Sequence, residues 1–172
     1  VILNAGVSDG QANVSFSLSE FRVTMDTNLF GALKWVELLL PEFIARRKGQ
    51  FVAISSMAAF RGDARWVAYP ASKAALSRSF ESMRGRYAKD AIKFSTIHLG
   101  QVVTGAGVTL SPFRLSQDQA ALKILHAIDA KRGSITIPWY LRVIIELMKV
   151  IPDVYFSQLI ERGLTESGTK SE

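Results

Sequence analysis

The chain contains no cysteine. That excludes disulfide frameworks, thiolate metal sites and cysteine nucleophiles, and it leaves the compartment open. It has no run of 18 uninterrupted apolar residues, so no transmembrane helix is expected. Its two histidines, His98 and His126, have no partner at ligand or triad spacing. Both are read as structural, and no metal site is expected. Internal repeats and low-complexity segments are missing, and nothing marks an interdomain linker. Also missing are an initiator methionine, a charged n-region and a cleavage signal. The first residues, Val1-Ile2-Leu3, read as though already inside a buried strand.

What is present is a 172-residue chain, 48% hydrophobic and 21% charged. That is the length of one domain, with enough apolar content for a core. The formal charge is +6, and residues 61–100 carry most of the excess, with eight basic residues against three acidic. The excess gathers around Arg61, Arg65, Arg78, Arg84, Arg86, Lys89 and Lys93. A solvated basic helix face is the plainer explanation. Attraction of an anionic ligand, such as a phosphorylated cofactor, is the functional one. Nucleic acid is not an expected partner, because no groove-reading motif or arginine-rich repeat accompanies the charge.

Strand and helix patterns alternate along the chain. Val1-Ile2-Leu3 reads as a strand that stops at Asn4-Ala5-Gly6. Ser17-Leu18-Ser19-Glu20 fits a capping box, in which the serine serves the helix amides and the glutamate reaches back. A long helix is expected over about 18–47, bent near Asn28 and Gly31. Residues 51–54 read as a buried strand, with Ser55-Ser56 opening a loop. A second helix over 67–88 tolerates Pro70 in its first turn. Then come a strand over 93–98, a glycine-bearing loop over 100–107, a helix over 116–131, a strand over 134–137 and an apolar helix over 139–151. Short apolar strands separated by helices imply an α/β fold, a parallel sheet covered on both faces.

Tyr69-Pro70-Ala71-Ser72-Lys73 is the stretch with the clearest chemistry. Residues four apart on a helix share a face. A free phenol, with a pKa of about 10, is a poor acid or base near neutrality. A neighbouring ammonium favours the phenolate. A tyrosine so placed can pass a proton to or from an alcohol or ketone oxygen. Ser56 lies thirteen residues before Tyr69 at a strand end, and Asn28 lies twenty-eight residues before Ser56 in mid-helix. Asparagine is a poor helix former there. Ser55 is the rival of Ser56, and the spacing to Tyr69 favours Ser56.

Asn4-Ala5-Gly6, Thr27-Asn28-Leu29, Ile54-Ser55-Ser56 and Tyr69-Pro70-Ala71-Ser72-Lys73, in this order and at these separations, resemble successive motifs of the short-chain dehydrogenase/reductase superfamily. The resemblance covers about residues 1–137. It implies that Tyr69 is the catalytic acid/base and that Lys73 assists it and holds the nicotinamide ribose hydroxyls. It implies that Ser56 hydrogen-bonds the substrate oxygen. Asn28 would bend its helix so that a backbone carbonyl holds a water leading to Lys73. Asn4, Ala5 and Gly6 would line the cofactor cleft. Leu99-Gly100-Gln101-Val102-Val103-Thr104 resembles the family's proline-glycine stretch, so Gly100, Val102 and Thr104 would contact the cofactor. Leucine stands where the family has proline, which loosens that match.

The implied cofactor is NAD or NADP, and the implied reaction interconverts an alcohol and a ketone or aldehyde. The family's glycine-rich fingerprint, which seats a pyrophosphate on a helix N-terminus, does not occur before Asn4-Ala5-Gly6. The resemblance therefore implies strands four to seven of a doubly wound Rossmann sheet. Residues 1–162 would form a partial domain, with 163–172 as a polar tail. The fragment alone would be inactive, and the complete enzyme would be a cytoplasmic homo-oligomer. Two alternatives stay open. One is a nucleotide-sugar epimerase or dehydratase using the same tyrosine-lysine pair, disfavoured by the short segment after Thr104. The other is a non-catalytic interaction module.

In the helix over 139–151, Arg142, Glu146 and Lys149 form a narrow polar stripe on an otherwise apolar surface. A substrate-pocket wall or subunit contact is the expected use, and a helix lying in a membrane interface is the alternative. The substrate is expected to be a small alcohol or carbonyl compound of hydrophobic character.

Overall fold

The computed structural model describes residues 1–9, 15–62, 66–103, 114–130, 132–150 and 152. Four parallel strands form the main sheet: β1 (Ile2–Leu3), β2 (Gly49–Ser56), β3 (Ile92–Leu99) and, at the far edge, Ser134–Ile137. Two further strands of two residues each, β4 (Gln101–Val102) and β5 (Arg114–Leu115), pair in parallel apart from that sheet, so the edge strand Ser134–Ile137 is β6. The helices are α1 (Leu18–Met25), α2 (Gly31–Ala45), α3 (Ala68–Arg86), α4 (Gln117–Asp129) and α5 (Tyr140–Lys149). The sheet order is β1-β2-β3-β6. The expected α/β, Rossmann-type sheet is present, with every major element in its expected order.

Alternation along β2 explains the two-sided core, since successive strand side chains face opposite ways. Phe51 and Ala53 join Leu3, Val36, Phe43, Leu76, Phe80 and Phe94 beneath α2 and α3. Val52 and Ile54 join Ile97, Leu115, Ala120, Ala127 and Ile137 beneath α4. Phe51 is sandwiched, its ring centroid 4.7 Å from Phe43 and 5.2 Å from Phe94.

Several boundaries differ from the sequence reading. Ser55 and Ser56 do not open a loop; they close β2, because its ladder with β3 continues through Ser56 opposite Leu99. The region read as a glycine-bearing loop begins with β4. The long first helix is two α-helices joined by a π-turn over Asp26–Phe30, which is where the bend was expected. Only the serine half of the first capping box forms, with Ser17 Oγ accepting the Glu20 N–H at 3.3 Å. The reciprocal box is at α4, between Ser116 and Gln119.

Candidate active site

β1, β2 and β3 run parallel and end at the same edge of the sheet. The crevice outside such carboxyl ends is where open α/β sheets place their ligands. Three segments meet there: the loop after β1, the π-turn, and the start of α3.

Asn28 sits at the centre of that meeting and is 0% exposed. A π-turn carries one residue more than an α-turn, which re-aims the side chain it contains. Asn28 Oδ1 accepts the Val7 N–H at 2.7 Å, and Nδ2 donates to the Val7 carbonyl at 2.8 Å and to Ser72 Oγ at 2.9 Å. Ser72 in turn donates to the Tyr69 carbonyl at 2.8 Å. The β1 loop is thereby stitched to the helix that carries Tyr69 and Lys73.

Lys73 is 4% exposed, and its Nζ donates to the Ile54 carbonyl at 3.0 Å. Burial lowers its pKa from the ordinary lysine value. The ammonium lies 5.8 Å from the centroid of the half-buried Tyr69 ring. One of three N–H donors is committed to Ile54, so two remain for a hydroxyl-bearing ligand. Gly6 keeps room beside it: a Cβ there would stand 3.2 Å from Lys73 Nζ and 3.3 Å from Asn28 Oδ1. Asn4 and Ala5, both exposed, occupy the same strand end.

Ser56 ends β2 with extended backbone, and its Oγ accepts the Ala58 N–H at 3.2 Å. That bond opens the 3-10 turn Met57–Phe60 and leaves the hydroxyl hydrogen free to donate elsewhere. Ser55 points the other way. It is buried against α3, its Oγ 2.8 Å from Ser77 Oγ and 3.3 Å from the Lys73 carbonyl. The two serines thus have separate environments: Ser55 is held against α3, and Ser56 ends the strand and caps the turn that follows.

The structure treats the remaining candidates differently. Gly100 packs against α5 and β6: its N–H donates to the Ile137 carbonyl at 2.8 Å, and a Cβ would fall 2.5 Å from a Leu141 methyl. Val102 packs on the core cluster under α4. Thr104 and Arg65 lie outside the described residues, as does the 163–172 tail. The basic excess is dispersed. Arg84 donates to the carbonyls of Phe94 and Gly133, near the start of β3 and of β6. Arg78 pairs with Glu81 in an exposed bridge of small energetic weight. Since α3 runs away from the crevice, Arg84, Arg86, Lys89 and Lys93 belong to the opposite end of the sheet. The cluster therefore lies mostly remote from Tyr69, which favours the plainer explanation, a solvated basic surface, over attraction of an anionic ligand.

Two residues at the site carried no functional signal in the sequence. Asp9 Oδ2 accepts the N–H groups of Val67 and Ala68, and Oδ1 accepts that of Tyr69, each at 2.7 Å. Burial pushes the Asp9 pKa up, but the backbone N–H groups of Ala68, Tyr69, Val67 and Asp9 itself outweigh it and hold the carboxyl below its usual value. His98 is 4% exposed on β3, opposite Ser55, with its ring centroid 4.5 Å from Phe60. Burial lowers its pKa to about 4 against the opposing pull of the Ser56 carbonyl, so it is neutral near pH 7.

Residues 1–114 match the family model for short chain dehydrogenases. This chain belongs to the short-chain dehydrogenase/reductase superfamily. It is 31% identical over 165 residues to an uncharacterized oxidoreductase of Myxococcus xanthus, covering 94% of this chain and 65% of that protein. It is 35% identical over 134 residues to a fatty acyl-CoA reductase of Acinetobacter baylyi, covering 74% of this chain and 45% of that enzyme. The fold matches 4-hydroxyisoleucine dehydrogenase complexed with NADH, with a TM-score of 0.69 and 22% identity over 78% of this chain and 64% of that one. This short-chain dehydrogenase chain thus spans less than two thirds of the length of those proteins. Among the described residues, no helix is long and apolar enough to cross a membrane.

Proposed function

We propose that the complete enzyme interconverts an alcohol and a ketone or aldehyde with NAD or NADP, using Tyr69, Lys73, Ser56 and Asn28. The observation that carries this reading is the buried Lys73 ammonium, one helical turn from Tyr69 and held by the carbonyl of Ile54 two residues before Ser56.

Lys73, beside the space that Gly6 leaves open, fits the ribose hydroxyls of a nicotinamide dinucleotide; Asn4 and Ala5 flank that place. Such a cofactor supplies or accepts the hydride when bound. Ser56 donates its free hydroxyl hydrogen to the substrate oxygen, which stabilises the negative charge that builds there during reduction. Tyr69 delivers the proton to that oxygen in reduction and removes it in oxidation. The fixed charge of Lys73 stabilises negative charge developing on the phenol oxygen. Asn28 does not touch the reacting atoms through its side chain. Its three hydrogen bonds hold the β1 loop and Ser72 against α3.

The substrate we favour is hydrophobic. α5 adjoins the Ser56 turn: Leu141 closes over Gly100, and the Arg142 guanidinium lies 5.7 Å from the Phe60 ring centroid. On the outer face of the same segment, opposite the buried Leu141 and Ile145, Trp139, Val143, Leu147 and Val150 are exposed and apolar. The similarity to a fatty acyl-CoA reductase supports the same choice.

Replacing Tyr69 with Phe in the enzyme expressed from its complete reading frame tests the assignment. Turnover of a panel of aliphatic and aromatic alcohols should fall by about 10²–10⁴, the range typical of a positioned acid/base. Affinity for NADH and NADPH, read by nicotinamide fluorescence, should stay within about threefold, roughly 0.7 kcal/mol. Turnover within tenfold of the parent would remove Tyr69 from the role.

A further inference from the structure

The first turn of an α-helix leaves its N–H groups without intrahelical acceptors. In α3 the problem is acute, because the residue at the cap, Val67, has no side chain able to accept and its backbone is already helical. Pro70 removes one donor from the set. The donors that remain belong to Val67, Ala68 and Tyr69, and the Asp9 carboxylate takes all three. An ordinary capping residue is local, one position before the helix. Here the cap arrives from about sixty residues earlier in the chain.

That remoteness has a geometric meaning. Asp9 lies two residues beyond Val7, whose N–H and carbonyl are both gripped by Asn28. The same loop brings Gly6 against Lys73. One end of the loop is therefore fixed to the π-turn and the other to the backbone amide of Tyr69 itself. Three bonds to two oxygens fix both the height and the rotation of the first helical turn, and with them the point from which the Tyr69 phenol departs.

We propose that Asp9 is a positioning residue for Tyr69: its carboxylate clamps the first turn of α3 to the β1 loop and so sets the phenol relative to Lys73 and the crevice. The inference rests on the reading of Tyr69 as the acid/base. A cap that served stability alone would leave the chemical step unchanged in any variant that remained folded. A clamp on the reacting side chain affects kcat in a folded enzyme while leaving binding of the cofactor in place.

The test compares Asp9→Ala and Asp9→Asn with the parent enzyme, each expressed from the complete reading frame. Assays run at a temperature where circular dichroism shows the protein folded. Asp9→Ala should lower kcat at least tenfold, with KM and the NADH or NADPH dissociation constant within about twofold. It should also raise the primary isotope effect with a deuterated alcohol, as the chemical step becomes slower. Asp9→Asn keeps one carbonyl acceptor for the Tyr69 amide, and it should recover part of kcat. A folded Asp9→Ala enzyme with kcat within twofold of the parent overturns the proposal. Should Asp9→Ala fail to fold, Asp9→Asn decides alone, and an unchanged kcat in it overturns the proposal equally. Tyr69→Phe, measured alongside, separates the two levels. Full turnover in Tyr69→Phe refutes the acid/base reading, whereas an inactive Tyr69→Phe with an unimpaired Asp9→Ala refutes only the clamp.

Discussion

Asn28→Ala separates two physical descriptions of the π-turn because they differ in sign. Helix propensity alone favours alanine over asparagine by about 0.5 kcal/mol, so it forecasts a small gain in stability. The hydrogen-bond network forecasts a loss. Truncation deletes bonds of 2.7, 2.8 and 2.9 Å to Val7 N–H, the Val7 carbonyl and Ser72 Oγ. A net hydrogen bond is worth about 0.5–1.5 kcal/mol, and a buried group left unsatisfied costs about 1–3 kcal/mol. Val7 is partly exposed, so water can replace some of what its backbone loses. Ser72 keeps its bond to the Tyr69 carbonyl. Those two facts place each loss near the lower bound, and the removed amide adds a small void at a fully buried position. The expected sum is about 2–4 kcal/mol. Guanidinium unfolding of the complete protein, followed by circular dichroism at 25 °C, measures it as a lowered midpoint with an unchanged slope. Asn28→Asp should lose a similar amount at pH 7, because it keeps the acceptor for Val7 N–H but sets a second oxygen against the Val7 carbonyl. An Asn28→Ala protein as stable as the parent, or more stable, would refute the network argument and leave propensity as the governing effect.

Three other substitutions probe the surrounding packing. His98 has its pKa lowered from 6.5 to about 4 by burial, so below pH 6.5 the unfolded chain takes up a proton that the folded chain refuses. Stability should therefore fall between pH 6.5 and about 4, by an amount of the order of 3 kcal/mol, and His98→Gln should flatten that part of the curve in thermal melts across the range. Asp9 adds its own loss only below its ordinary carboxylate value, since its shift is downward. In Gly100→Ala the new methyl would lie 2.5 Å from Leu141 Cδ1, an overpacking expected to cost about 1–3 kcal/mol. Combining it with Leu141→Ala should cost clearly less than the two separate losses added together; strict additivity in denaturant unfolding would mean that the two side chains do not compete for space.

The parts of this fold that could be read in advance are those with a period or a fixed spacing. Apolar runs at 51–54 and 93–98 marked the central strands, and the Asn28, Ser56, Tyr69 and Lys73 spacing marked the proposed site. Asn28 was visible as an oddity because it interrupts a helix-forming stretch. Its partners were not visible, because Val7 offers only backbone atoms, which every residue has. Asp9 was hidden for the same reason. A carboxylate that bonds three amides about sixty residues away leaves no local pattern, and a lone aspartate in a polar loop looks solvated. Ser55 and Ser56 were misread as loop because they are polar. Their place in β2 is set by the facing strand and by Ser77, neither of which is local. β4 and β5 have two residues each, too few to display any alternation. The charge cluster left two readings open because composition records how many basic residues a segment has and not which end of a helix they occupy.

The π-turn over Asp26–Phe30 makes chain length a functional variable in this helix. A π-turn is one residue of surplus within an α-helical path. Removing any one residue from it would let α1 and α2 fuse into an uninterrupted α-helix, with every residue past the cut keeping its identity. Each residue in such a helix advances by about 100°. Because the surplus is taken up within the turn, Val36 and Phe43 would keep the sheet they now cover, while Asn28 would swing away from Val7. A single-residue deletion here, unlike one in a helix of ordinary winding, would spare the core and cost the proposed site alone.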